Sequence, residues 1–229
     1  MKPVRTTPAL ADQVYQAILD DICRGDLVPG THLKQEELAH SLGVSRQPVQ
    51  QAMVLLKADG LVEEVGRRGL RVSELDIKSM HHHYEVRALL DGLAARNTAL
   101  RTGKDDSLRA RFETRACVIL EAGAKAVDSG DVPEMIRQDE LFHRLFYELS
   151  DNPLLVVSAE PHWRYLRRVM GDLLRSTEGP PHHIWEQHEI IVSAVLDGKA
   201  ATSELLMVDH ATLAAQLLAG SARAGDVRP

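Results

Sequence analysis

The sequence is short of the features that define several large classes of protein. It has two cysteines, Cys23 and Cys117. They fall in separate predicted domains, so no disulfide framework is implied, which suits a reducing compartment. Cys23 sits in an apolar helix with Val14, Ile18 and Ile22 and reads as a core residue. No stretch approaches the roughly 18 apolar residues that a membrane span needs. The N-terminal MKPVRTTPAL lacks the apolar run of a signal peptide. A soluble, cytoplasmic protein with no membrane partner is expected. Internal repeats and low-complexity segments are also missing. So is an excess of positive charge: the net charge is −6. What remains is ordinary in bulk, with 44% apolar residues in 229, enough for two modest domains.

The stretch LAHSLGVSRQPVQQAMVLLKADGL, Leu38 to Leu61, organises the first of these domains as a helix-turn-helix. Leu38, Ala39 and Leu42 close a short helix. Gly43 stops it where a left-handed turn favours glycine. Val44 is the expected buried turn residue. Ser45 is the expected N-cap of a second helix, its hydroxyl accepting one of the orphan N–H groups. Pro48 falls in that helix's first turn, where its missing N–H costs nothing. Val49, Ala52, Met53 and Leu56 form an inner stripe. Arg46, Gln47, Gln50 and Gln51 lie outside, long polar side chains of the kind that read base edges in a major groove. Beyond Asp59-Gly60, residues 62–65 and 70–72 read as two short strands. Gly66-Arg67-Arg68-Gly69 joins them with two cations at the tip, placed to touch phosphate or the minor groove. Helices plus this hairpin make a winged helix over residues 1–75.

Charge alone does not announce a nucleic-acid partner. Residues 1–75 hold 9 Lys+Arg against 10 Asp+Glu, a net of −1, which leaves −5 for the rest. The cations are gathered locally at Arg46, Lys57, Arg67, Arg68 and Arg71. Local placement decides phosphate contact, because salt screens charges beyond roughly 8–10 Å.

Residues 76–229 show only helical patterning. The predicted helices are Asp76–Leu100, Asp105–Val127, one from Asp131 to Leu149, one from Asn152-Pro153 to Leu174, Ile184–Leu196 and Ala201–Leu218. Six antiparallel helices with short connections form a bundle. Asp139 and His143 lie four apart and share a face beside Phe142 and Phe146. His188 and His210 lie near inward positions of the last two helices. One carboxylate and three imidazoles pointing inward from three helices is how bundles build metal sites. The donor set suits Zn²⁺, Ni²⁺, Mn²⁺ or Fe²⁺ without choosing among them. Arg87 and Asp91 are also four apart on one face, a spacing that fits a structural ion pair. Of the other histidines, His81-His82-His83 splays around a helix, His182-His183 falls in a loop, and His162 beside Trp163 is a candidate for the cavity wall.

Two resemblances sharpen this reading. The run GDLVPGTHLKQEELAHSLGVSRQPVQQAMVLLKADGLVEEVGRRGLRV resembles the N-terminal domain of GntR-family transcriptional regulators. That implies operator contacts from the start of the second helix (Gln35), from the recognition helix (Ser45, Arg46, Gln47, Gln50) and from the wing (Arg67, Arg68, Gly69). The chain departs from the family pattern at Gln50 and Glu36, each standing where an arginine is usual, so the expected DNA face has two fewer cations. YEVRALLDGLAAR, DELFHRLF and HEIIVSAVLDGKAATSELLMVDH resemble the FCD effector domain of the FadR subfamily. In its metal-binding members an Asp and a His four apart are joined by two later histidines, which implies Asp139, His143, His188 and His210 as ligands of a divalent transition metal. The same resemblance implies that Arg87 faces the effector cavity, where a guanidinium suits a carboxylate. Asp91 stands where a Glu is usual. The implied protein is a homodimeric, metabolite-responsive regulator that binds double-stranded operator DNA and a small carboxylate effector. Two rivals are a metal-dependent helical enzyme and a ligand-independent DNA-binding protein whose bundle only dimerises.

Overall fold

The computed structural model describes residues 10–66, 69–74, 76–176 and 182–225. They form two compact units that divide after residue 75. The first contains helices α1 (Leu10–Arg24), α2 (Gln35–Ser41) and α3 (Arg46–Ala58), followed by strands β1 (Val62–Val65) and β2 (Gly69–Val72). α1 buries Val14, Ile18, Leu19, Ile22 and Cys23 at the three-to-four spacing of one helical face, and packs on α3. α3 answers with Val49, Ala52, Met53 and Leu56, the stripe expected from the sequence. Each large apolar side chain so enclosed contributes about 1.5–3 kcal/mol over an exposed one. Gly43 has φ of 64°, the left-handed value that lets the chain leave α2. The strands pair antiparallel with Val62 opposite Val72 and Val65 opposite Gly69.

Two local expectations fail. Val44 is half-buried rather than buried. Ser45 has the extended backbone of an N-cap, but its side chain makes no capping hydrogen bond. The reason lies in the sequence: the third helical position, a usual donor to a capping hydroxyl, is Pro48, which has no N–H.

The second unit is the expected set of six helices: α4 (Ile77–Thr102), α5 (Asp106–Ser129), α6 (Val132–Leu149), α7 (Pro153–Ser176), α8 (His182–Leu196) and α9 (Ala200–Gly225). Three of them start on aspartate caps. Asp76 accepts from the Lys78 and Ser79 amides, Asp105 from Leu108 and Asp131 from Glu134. α8 begins two residues before the expected Ile184, so His182 and His183 lie in its first turn and not in a loop. The bundle core gathers Phe112, Phe142, Phe146, Trp163 and Trp185. At Gly123 on α5, a Cβ would sit 2.0 Å from the Trp185 ring, so glycine is what admits the indole. Among the described residues no helix is long and apolar enough to cross a membrane.

Candidate metal centre and DNA-facing surface

α6 carries Asp139 and His143 one turn apart on its buried face, which is inward because Phe142, Leu145 and Phe146 share it. α8 contributes His188 beside Ile191 and Val195, and α9 contributes His210 beside Met207 and Ala211. All four are buried. One oxygen of Asp139 and one ring nitrogen from each histidine lie within 4.8 Å of one another. The Asp139 Oδ1 is 3.3 Å from His188 Nε2 and 3.9 Å from His143 Nε2. His188 Nε2 and His210 Nε2 are 3.1 Å apart.

The far sides of the rings are held differently. His210 Nδ1 lies 2.8 Å from Gln187 Oε1, so it donates there and leaves Nε2 as a bare acceptor facing the cluster. His143 Nδ1 is 3.2 Å from Asp91 Oδ2. Both nitrogens of His143, and Nδ1 of His188, are buried without a hydrogen-bond partner. Buried polar atoms left unpaired cost about 1–3 kcal/mol each. The rings are clamped by aromatic neighbours, with Phe142 stacked on His188 at 3.8 Å and Trp163 5.2 Å from His143. Burial lowers the pKa of His188 and drives that of His210 well down, so these imidazoles favour the neutral form a metal requires. Burial would raise the pKa of Asp139, but the His188 hydrogen bond, the facing histidines and Arg87 outweigh it and hold the carboxylate ionised. Charge disfavoured on His188 and His210, an ionised Asp139 and the partnerless His143 Nε2 that faces them fit a divalent transition-metal ion.

Arg87 on α4 is only 2% exposed. Its Nε donates to Asp91 Oδ2 at 2.9 Å and its guanidinium lies 3.9 Å from the centre of the Trp163 ring. Its terminal nitrogen is 4.0 Å from Asp139 Oδ2. Burial opposes its charge, but Asp91 and Asp139 prevail and raise its pKa, so it stays cationic. Asp91 also accepts from the Tyr147 hydroxyl, which in turn accepts from Trp163 Nε1 at 3.3 Å. The ion-paired and the cavity-facing readings of Arg87 therefore coexist: a cavity of about 50 Å³ has Arg87, Tyr84, Asp139 and His210 in its wall. His162 is not in that wall and pairs instead with His83, ring nitrogens 3.0 Å apart. Sequence reasoning missed Tyr147, Gln187 and Trp163. Tyr147 was within reach, one helical turn beyond His143; the other two owe their places to packing between helices.

In the first unit Gln35, Arg46, Gln50 and Gly69 line one shallow cleft together with His32 and Glu36. Ser45, just before α3, and Gln47 in its first turn are exposed but outside it. Arg67 and Arg68 lie outside the described residues. The sequence reading treated the local cations as available, yet the described ones are each paired. Arg46 meets Glu36 at 2.6 Å, Lys57 meets Glu64 at 2.6 Å and Arg71 meets Glu63 at 2.6 Å.

Comparison with known proteins agrees with this architecture. Residues 10–72 match the bacterial regulatory proteins of the gntR family, and residues 82–213 match the FCD domain. An uncharacterized HTH-type transcriptional regulator of Bacillus subtilis, YdhC, is 31% identical over 141 residues, 61% of this chain and 60% of its own length. The chain thus spans less than two thirds of that relative. A probable D-xylose utilization operon transcriptional repressor of Paenarthrobacter nicotinovorans is 29% identical over 208 residues, 90% of this chain and 87% of that protein. The solved structure of Escherichia coli McbR/YncC has the same fold, with a TM-score of 0.75 at 19% identity over 93% of this chain and 99% of that one. Both matched domains are those of transcriptional regulators, not of enzymes. This chain belongs to the GntR family of bacterial regulatory proteins and carries an FCD domain.

Proposed function

We propose that this protein is a transcriptional regulator whose helical unit holds a divalent metal and a small carboxylate effector, and whose winged helix binds operator DNA as a homodimer in the cytoplasm. The observation that carries the reading is the buried cluster of Asp139, His143, His188 and His210, convergent and short of internal partners. These residues would hold the ion, which when bound supplies a positive centre for an anionic ligand. Gln187 orients the His210 ring from behind, as outer partners of metal-binding histidines do, and Asp91 lies 3.2 Å behind His143 Nδ1. Arg87 offers the second positive group, and the aromatic packing keeps water out.

In the winged helix, the exposed Arg46, Gln47 and Gln50 of α3 would read base edges, with Gln35, Ser45 and Gly69 on the phosphate backbone; Arg67 and Arg68 are assigned to the backbone from the sequence alone. One winged helix reads only a few base pairs, so two copies on a roughly palindromic site give useful specificity. The effector controls binding only through different affinities for two arrangements of the dimer. The test is metal retention and effector-dependent release of operator DNA in wild type and His143→Ala. Loss of both in the variant, with its winged helix still folded, is expected. Effector response in a His143→Ala protein that retains no metal would refute the reading.

A further inference from the structure

Two histidines outside the buried cluster meet where α4 packs on α7. His83 lies in the second turn of α4, and His162 lies near the middle of α7. Both are half-buried, so water still reaches them. Their Nδ1 atoms are 3.0 Å apart, and the rings meet edge to face with centres 5.1 Å apart. The His83 ring also stacks on Tyr165 at 4.4 Å, and the Tyr165 hydroxyl donates to the Asp76 carbonyl just before α4. The pair is therefore positioned before any ligand arrives.

Without an ion, one Nδ1 carries a proton and donates it to the other. An ion takes the place of that proton once both rings carry their protons on Nε2, and one neutral hydrogen bond gives way to two coordinate bonds. The spacing says which ions fit. Nitrogens 3.0 Å apart, each 2.0–2.1 Å from an ion, subtend an angle of about 91–97° at it. A tetrahedral ion needs its nitrogens about 3.3–3.4 Å apart at the same bond length. Neighbouring corners of a square suit Cu²⁺ and Ni²⁺. Burial lowers the pKa of both rings, which favours the neutral form that binds a metal; for His162, Asp91 and Arg87 act with opposite signs.

We infer that His83 and His162 form a second metal site, a two-imidazole clasp for Cu²⁺ or Ni²⁺ that ties the beginning of α4 to α7. It stands apart from the buried cluster and does not depend on that cluster holding an ion. Among the described residues only Asp139, His143, His188 and His210 gather three or more donors of this kind. The remaining positions on an ion at the clasp therefore go to water or to an external ligand, and the clasp binds less tightly than a four-donor site.

Titration of the full chain with Cu²⁺ tests this, read by electron paramagnetic resonance and by thermal unfolding. The proteins are wild type, His83→Phe, His162→Phe, His82→Ala and His143→Ala. Phenylalanine keeps a flat ring in place, on Tyr165 in the case of His83, but offers no nitrogen. The two variants are independent, so if one fails to fold the other decides. Wild type should bind one more Cu²⁺ per chain than either, and the difference spectrum should carry the coupling of two imidazole nitrogens. Losing one imidazole should weaken the site by at least the roughly tenfold that loss of an outer partner costs. Cu²⁺ should raise the Tm of wild type more than that of either variant. His82→Ala and His143→Ala should keep the two-nitrogen signal. Equal copper uptake with the same spectrum in wild type and the phenylalanine variants would overturn the inference and leave the pair a hydrogen bond only. Loss of the signal in His143→Ala would assign that copper to the buried cluster and overturn it as well.

Discussion

The two units handle charge in opposite ways. In the winged helix, Arg46–Glu36, Lys57–Glu64 and Arg71–Glu63 are surface pairs, the first with side chains 71% and 70% exposed. Such pairs contribute about 0–1 kcal/mol and yield readily to a phosphate or a base edge. In the helical unit Arg87 and Asp91 are 2% and 0% exposed. Those charges are fixed before any ligand arrives, and removing one partner strands the other in a dry interior. One set of charges is exchangeable and the other preset, which matches the proposed roles of a unit that holds and releases DNA and a unit that recognises one small molecule.

Several substitutions would break or sharpen this contrast. The largest effect is expected at Asp91. Asp91→Ala leaves Arg87 with only the more distant Asp139 and Tyr147 without its acceptor, and should lower stability by about 3–5 kcal/mol in urea unfolding. A loss under 1 kcal/mol would show that the interior is wetter than its burial implies. Next comes Gly123→Ala, whose new methyl drives into the Trp185 ring. It should cost about 1–3 kcal/mol in the same measurement. Because Trp185 packs 4.9 Å from His188, metal affinity should fall with it.

On the exposed side, Arg46→Ala should weaken operator binding by about 1–3 kcal/mol and relax base preference if Arg46 reads a guanine. Equal affinity of variant and wild type in a fluorescence anisotropy titration would remove Arg46 from the interface. The smallest effect is expected at Glu36. Glu36→Gln frees Arg46 and removes a carboxylate from the DNA side, so binding to unrelated sequence should tighten by about 1 kcal/mol or less, with a steeper salt dependence. Weaker binding would mean that Glu36 itself contacts the DNA.

Much of this molecule was legible in its sequence, and the reasons are local. The α3 stripe and the Gly43 turn each depend on residues within a few positions of one another. So does the Asp139–His143 pair, which shares a helix face. The missing cap at Ser45 was legible too, since Pro48 already stood at the position of the absent donor. The ion pairs across the winged helix were not. Arg46 reaches Glu36 on another helix, and which carboxylate a long flexible cation meets depends on how α2 sits against α3. The 3.1 Å approach of His188 to His210 likewise needs α8 and α9 packed together, and spacing alone left their roles open. The family resemblance supplied that ligand set, and the geometry brings its four residues together. Gln187 behind His210 carried no local signal, because nothing in its neighbourhood marks which residue of α8 will back a ring on α9.

The central claim is that the buried cluster of α6, α8 and α9 holds a metal. The most direct measurement is elemental analysis by inductively coupled plasma mass spectrometry, on wild type and His143→Ala purified without chelator. The account predicts about one divalent transition-metal ion per wild-type chain and nearly none in the variant. Equal metal content in the two proteins, or none in wild type even after incubation with Zn²⁺, Ni²⁺, Mn²⁺ and Fe²⁺, would contradict it.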